Sequence, residues 1–113
     1  MMLPVEQQIT FLYTSDLQQS AQFFELVLGL SCVLDQGGCR IYRIVGQSAF
    51  LGVCQRDDVQ IDGQSVIFTF VTDEVDAWYQ HLQAHQVRCD GEPRLNERYG
   101  IYHFFFYDHN GYR

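Results

Sequence analysis

The chain has 113 residues, of which 47% are hydrophobic and 19% charged, and this is the length and composition of one folded domain rather than a disordered segment. Seven basic residues against fourteen acidic ones give a formal charge of −7, which disfavours binding to nucleic acid or to an anionic membrane surface. No apolar run reaches the roughly 20 residues of a membrane-spanning helix, and the amino-terminal residues lack the pattern of a secretory signal, so we expect a cytoplasmic protein.

The first half of the chain predicts one strand, one helix and then three more strands. Alternating β-branched and aromatic residues over 7–14 predict the first strand. Ser15 followed three residues later by Gln18 is a capping box, which predicts a helix over 16–28 that Gly29 ends. Glycine-containing turns separate three further predicted strands, over 31–35, 39–45 and 48–54.

The second half repeats this order of elements after a polar connector over 55–64. It predicts a strand over 65–71, a helix capped by Asp73 that ends near His85, a short strand over 87–90 and an aromatic strand over 101–107. We therefore expect one domain over 1–113, with module one over about 7–54 and module two over about 65–113. A last strand of module two is expected beyond the turn that precedes Arg113.

The four cysteines show no paired spacing of a zinc site or a redox motif. Cys32, Cys39, Cys54 and Cys89 are scattered through strand-like apolar segments, which favours small buried hydrophobic residues and a reducing compartment. A reactive thiol is the alternative, chiefly at Cys54.

Two segments resemble signatures of the vicinal oxygen chelate superfamily, which includes glyoxalase I, extradiol dioxygenases, fosfomycin-resistance enzymes and bleomycin-resistance binding proteins. The first segment runs from Asp16-Leu17 to Leu28-Gly29-Leu30, and the second from Tyr99-Gly100 to Gly111-Tyr112. The resemblance implies an α+β fold in which two βαβββ modules form a curved, half-open mixed β-sheet barrel. Helices would cover its convex side, and a ligand cleft would lie on the concave side.

Enzymes of this superfamily hold a divalent metal ion with His and Glu side chains that point into the cleft. The resemblance places three of the ligand positions at Ile9, Gly52 and Ile67, and the fourth beyond Arg113. None of the three residues has a side chain with a lone pair to donate. We therefore expect no metal site and no cofactor.

The histidines offer one candidate for chemistry. His103 shares a side of its predicted strand with Phe105, and it is either a core histidine with a backbone partner or a general base or ligand anchor in the cleft. His81 and His85 are one helical turn apart, where a solvated helix face is the commoner arrangement than a metal site. His109 is interpreted as a turn residue.

The alternation of side chains along the strands assigns aromatic residues to the two sides of the sheet. The concave side would carry Phe11, Tyr13, Tyr42, Phe50 and Phe105. The side that faces the helices would carry Leu12, Phe68, Phe70, Phe104 and Phe106. Single aromatic residues on strands are more often core than ligand contacts. A face that no helix covers nevertheless requires a ligand, a partner chain or collapse.

These observations favour a metal-free protein that binds a small, partly aromatic or apolar molecule, as bleomycin-resistance proteins do. The predicted ligand-binding residues are Phe11, Tyr13, Phe50, Cys54, Thr69, His103 and Phe105. The net charge favours a cationic or neutral ligand, and we also expect a homodimer. A glyoxalase-like lyase or isomerase, or a dioxygenase-related enzyme, is the alternative, and a dimeric interaction module without a ligand is the second, so enzymatic activity stays open.

Overall fold

A computed structural model describes residues 3–113, so Met1 and Met2 of the amino-terminal segment lie outside the described residues. The chain divides into two compact units between Gln60 and Ile61. Unit 1 denotes the part before this boundary, and unit 2 the part after it. No helix within 3–113 has both the length and the apolar character needed to cross a lipid bilayer.

Unit 1 is a four-stranded sheet with one helical segment between its first and second strands. Its elements are β1 (Gln8–Thr14), α1 (Leu17–Gln22), a π-helical turn (Phe23–Val27), β2 (Ser31–Asp35), β3 (Cys39–Val45) and β4 (Ala49–Gln55). The strand order is β1-β4-β3-β2, in which β1 pairs with β4 in parallel and the other pairs are antiparallel. The four predicted strands of this half are therefore confirmed, while the predicted helix divides into an α and a π portion.

The helix begins one residue later than predicted, because Asp16 and not Ser15 is the N-cap. The Asp16 carboxylate accepts a hydrogen bond from the Gln19 backbone N–H at 3.0 Å. The backbone carbonyl of Ser15 accepts instead from the Gln55 side-chain amide at 2.6 Å. The hydroxyl oxygen of buried Thr14 accepts a hydrogen bond from the Asp16 backbone N–H at 3.1 Å. These hydrogen bonds fix the connection from β1 to α1.

The hydrophobic core of unit 1 lies between the helical segment and one face of the sheet. Its buried members from both layers are Ala21, Phe24, Leu28, Tyr42, Leu51 and Val53. The expectation that Tyr42 shares the concave side is wrong: the side chain is fully buried, and its hydroxyl donates to Glu25 at 3.0 Å. Arg40 contacts the same carboxylate at 2.9 Å. Burial raises the pKa of Tyr42 most, and the hydrogen bond to Glu25 raises it further.

A disulfide joins β3 to β4, which corrects the expectation of four unpaired cysteines. Cys39 and Cys54 are opposite each other in the ladder, with their Cα atoms 4.0 Å apart. The flanking hydrogen bond from Gln55 N–H to Gly38 O marks this as a non-hydrogen-bonded pair, whose side chains approach most closely. Cys32 and Cys89 are free and half-buried. One ground for a reducing compartment is thereby removed.

Unit 2 contains α2 (Val75–Ala84), β5 (Cys89–Asn96) and β6 (Ile101–Phe106), with β5 and β6 antiparallel. The strand predicted over 65–71 is absent, and this segment is irregular. Within it, the Phe68 backbone N–H donates a hydrogen bond to the Arg113 carbonyl oxygen at 2.9 Å. The strand predicted over 87–90 is instead β5 (Cys89–Asn96), which begins two residues later, extends six residues further and contains a register shift between Asp90 and Arg94. Asp73 does not cap α2; Glu74 occupies the N-cap position without a side-chain hydrogen bond.

Helix α2 covers one face of the β5–β6 pair. The Tyr79 and Phe104 rings meet edge to face at 5.2 Å, and the Tyr102 hydroxyl donates to Asp76 at 2.5 Å. The prediction that Phe104 faces a helix is therefore confirmed. Because neighbouring residues of a strand alternate, His103 and Phe105 lie on the opposite face of this pair.

Candidate functional site

The open face of unit 1 is the side of its sheet that points away from α1. Strand register places together Ile9, Phe11, Tyr13, Cys39, Ile41, Arg43, Phe50, Gly52 and Cys54. Phe11 keeps 48% of its surface exposed and Tyr13 keeps 39%, whereas Phe50 keeps only 8%. Phe11 and Tyr13 therefore leave aromatic surface exposed on this face, whereas Phe50 is buried.

Phe11 rests on a glycine of the neighbouring strand. Phe11 and Gly52 are partners in the parallel β1–β4 pair. A Cβ atom at position 52 would overlap the Phe11 ring and lie 3.2 Å from the Ile41 Cδ1 atom. The absence of a side chain at Gly52 thus leaves the space that one edge of the Phe11 ring occupies.

The disulfide leaves this face with one polar group fewer. Cys54 is bonded to Cys39, so its sulfur offers no thiol to a ligand or to a nucleophilic reaction. Tyr13 lies beside Cys54 in the ladder, and the Arg56 guanidinium carbon is 5.2 Å from the centre of the Tyr13 ring. Arg56 is paired with Asp58 at 2.8 Å. Tyr13 is therefore the main polar side chain at this end of the open face.

The residues at the metal positions implied by the resemblance do not fit a metal ion. Ile9 and Ile67 are both partly exposed and have no donor atom. Any His or Glu side chain at position 52 would first collide with Phe11. Within residues 3–113, no three or more His, Cys, Asp or Glu side chains are grouped so as to hold a metal ion. No metal-dependent step is assigned to this chain.

The open face of unit 2 is the side of the β5–β6 pair that points away from α2. The His103 and Phe105 rings meet edge to face with their centres 5.0 Å apart. Arg94 is directly opposite His103, and the Arg113 guanidinium carbon is 4.6 Å from the centre of the Phe105 ring. The two arginines were not recognised from the sequence. The alternation along β5 could identify Arg94, whereas the position of Arg113 depends on the chain's return over the sheet.

Thr69 is the predicted site residue that strand register cannot assign to a face. It is exposed and lies in the irregular segment of unit 2. Helix α2 carries His81, and His85 is its C-cap, with the two rings 4.4 Å apart. A shallow hollow of about 280 Å³ at the start of that helix is lined by Glu74, Ala77, Trp78 and His81. Except for Thr69, the predicted residues therefore lie on two open faces, one in each unit.

Asp108 anchors the turn that follows β6. Its Oδ1 atom accepts the backbone N–H groups of Asn110 and Tyr112, each at 2.9 Å. Burial raises the pKa of the Asp108 carboxyl, and the hydrogen bond from Tyr112 opposes this rise. His109 is part of this turn, which agrees with its interpretation from the sequence. The turn positions the final residues, including Arg113, beside the open face of unit 2.

The family model and the solved structures that match this chain agree on its fold. The model of the Glyoxalase/Bleomycin resistance protein/Dioxygenase superfamily matches residues 7–113. No curated protein sequence matches this chain. A solved member of that superfamily from Sphaerobacter thermophilus aligns with a TM-score of 0.83 at 18% identity, over 98% of this chain and 94% of its own.

Two other solved structures are similar to this chain. A lactoylglutathione lyase from Agrobacterium tumefaciens has a TM-score of 0.72 and 23% identity, over 96% of this chain and 90% of its own. A genomically encoded fosfomycin resistance protein from Listeria monocytogenes has a TM-score of 0.73 and 18% identity, over 99% and 89%. At such identities the similarity shows the fold alone, and it confirms the predicted α+β class.

Proposed function

Because this chain belongs to the Glyoxalase/Bleomycin resistance protein/Dioxygenase superfamily, we propose that it is a metal-independent protein that binds a small, partly aromatic or apolar molecule. The observation that carries the proposal is the seating of Phe11 on Gly52, which presents a half-exposed ring on a sheet face away from the helix. Burial of a planar ligand against this ring supplies the affinity.

The remaining proposed contacts orient the ligand rather than bind it most strongly. On unit 1 Tyr13 supplies a hydroxyl group. On unit 2 Thr69 supplies a hydroxyl group, and His103 supplies ring nitrogens beside the apolar ring of Phe105. Phe50 forms the floor, and Cys54 contributes its half of the disulfide as apolar surface. A few polar groups among mostly apolar ones are the usual composition of a small-molecule site. The proposal is one of binding, without turnover.

The enzymatic alternative requires donor side chains that these positions lack. A glyoxalase-like lyase or a dioxygenase of this superfamily would use a metal held by His and Glu, whereas the chain has Ile9, Gly52 and Ile67 there. The similarity to a lactoylglutathione lyase is one of fold. We therefore favour binding over metal-dependent catalysis.

The proposal is tested by titrating the protein with the neutral aromatic probe naphthamide and following its fluorescence. Phe11→Ala should weaken binding by about tenfold, since it removes the exposed ring. Gly52→Ala should weaken it as well, because the new methyl group displaces Phe11. Excess EDTA should leave the affinity unchanged.

The matched control is Tyr99→Ala, which removes an aromatic ring that is 67% exposed in the turn between β5 and β6. This variant should bind naphthamide like the unaltered protein. The proposal is wrong if the unaltered protein does not bind the probe, if Phe11→Ala and Tyr99→Ala have equal effects, or if EDTA abolishes binding.

We also propose that the chain forms a homodimer. Strand β2 is at one end of the sheet order in unit 1, and its Val33 and Leu34 side chains are 41% and 49% exposed. An edge strand with exposed apolar side chains commonly pairs with another chain. Light scattering at micromolar concentration should give twice the mass of one chain, and the mass of a single chain would contradict the expectation.

A further inference from the structure

We infer that His81 and His85 form a binding site for a borderline divalent metal ion, such as Ni²⁺ or Cu²⁺, on the exposed side of α2. The two residues are one helical turn apart, so their side chains lie on the same side of the helix. Imidazole nitrogens are ligands that suit these ions. The inference concerns α2 alone and is independent of the proposed function.

The separation of the two rings suits a shared ion. Their centres are 4.4 Å apart, and both residues are exposed. Two imidazoles that bind one ion at about 2.1 Å, with a right or tetrahedral angle between them, have ring centres about 4.5–5 Å apart. The observed distance is close to that of a metal-bound pair, so binding requires little rearrangement.

The hydrogen bond of His85 determines which of its nitrogens can bind an ion. Its Nδ1 atom is 2.9 Å from the backbone carbonyl oxygen of His81. A carbonyl oxygen only accepts, so Nδ1 carries the proton, and Nε2 of the neutral ring keeps the lone pair. Hydrogen bonds of this kind orient metal-binding histidines and fix their tautomer. His85 is therefore held in the tautomer that a metal ion requires at Nε2.

The ring of His81 lies between two other rings. It meets the Trp78 ring edge to face at 5.5 Å, and His85 contacts it from the following turn. These contacts restrict the His81 side chain before an ion binds, which lowers the entropy cost of binding. An imidazole has two nitrogens, so His81 can keep a hydrogen bond at one and bind the ion through the other. Spacing alone favours a solvated helix face, whereas these contacts favour a metal site.

The surroundings favour a cation and leave room for its other ligands. The hollow at the start of α2 borders His81 and is also lined by Glu74, which adds a negative charge nearby. The net charge of −7 attracts cations over longer distances. Within residues 3–113, no third His, Cys, Asp or Glu side chain joins the pair. Water molecules would therefore complete the coordination of the ion.

The experiment titrates the protein, without a histidine tag, with NiCl₂ and follows tryptophan fluorescence. Trp78 is the single tryptophan of the chain and contacts His81, so an ion bound at this site should quench it. Quenching should follow a single-site curve and be reversed by EDTA. Mg²⁺, which prefers oxygen ligands, should cause no change. Isothermal titration calorimetry measures the affinity for Ni²⁺, so binding without quenching would also be detected.

Removing either histidine should weaken the binding of Ni²⁺ at least about tenfold. The second imidazole on the same helix binds at a high effective concentration, and His81→Gln or His85→Gln removes this advantage. The matched control combines Gln83→His with His85→Gln, which keeps the number of histidines but places them on different sides of α2. It should bind Ni²⁺ as weakly as His85→Gln alone. Circular dichroism verifies that each variant remains folded.

A second variant tests whether the spacing can be restored. Ala84→His combined with His85→Gln places two histidines three residues apart, on the same side of α2, and should recover part of the affinity. The inference is overturned if calorimetry detects no binding at millimolar Ni²⁺. It is also overturned if both single variants, or the variant with Gln83→His, bind Ni²⁺ as tightly as the unaltered protein.

Discussion

Replacing Phe24 by alanine should lower the free energy of unfolding by about 3–5 kcal/mol, the usual cost of deleting a buried phenylalanine ring. Phe24 is 4% exposed, and its ring packs against those of Phe23 at 5.3 Å and Tyr42 at 5.8 Å. Little of this space can collapse, because Tyr42 is held in place by Glu25. Urea denaturation followed by circular dichroism measures the change.

Phe11→Ala is the matched comparison, since it removes the same side chain from the other side of the same sheet. About half of the Phe11 ring already contacts solvent, so the cost should be only about 1–2 kcal/mol. Equal costs for Phe11→Ala and Phe24→Ala would mean that Phe11 is a core residue. The proposed ligand surface would then be lost.

Reducing the Cys39–Cys54 disulfide should lower the free energy of unfolding by about 3 kcal/mol. The bond spans 15 residues, and opening a loop of this size restores conformational entropy to the unfolded chain. Urea denaturation with and without dithiothreitol measures the difference.

Cys54→Ser should abolish this response to dithiothreitol, whereas Cys32→Ser should preserve it, because Cys32 is a free cysteine. If dithiothreitol leaves the stability of the unaltered protein unchanged, the two sulfur atoms are not bonded. The same result would restore the expectation drawn from the spacing of the cysteines along the chain.

The elements that sequence reasoning predicted well are those whose signals are local. Strand β1 has clear alternation, β6 is a run of aromatic residues, and glycines mark the ends of the strands of unit 1. Alternation also separates Phe104, which contacts α2, from its neighbours. These signals depend only on the residues of one element, so they can be recognised without knowledge of the fold.

The features that were missed depend on partners distant in the chain. The disulfide requires the β3–β4 register, which spacing alone does not reveal. Tyr42 and Arg40 face the helix because Glu25 accepts hydrogen bonds from both, and this reverses the usual placement of a charged residue. The segment over 65–71 has the β-branched and aromatic residues of a strand but forms no ladder. The positions of Arg94 opposite His103 and of Arg113 over the Phe105 ring likewise follow from the fold of unit 2.

The contact between Phe11 and Gly52 also constrains how this protein can change in evolution. A metal-binding side chain at position 52 collides with the Phe11 ring, so that substitution is unfavourable unless position 11 changes too. The two positions are therefore epistatic: the effect of each substitution depends on the residue at the other. A metal-binding descendant would need both changes and donors in place of Ile9 and Ile67. This barrier separates the aromatic form of the face from a metal-binding one, even though both fit the same fold.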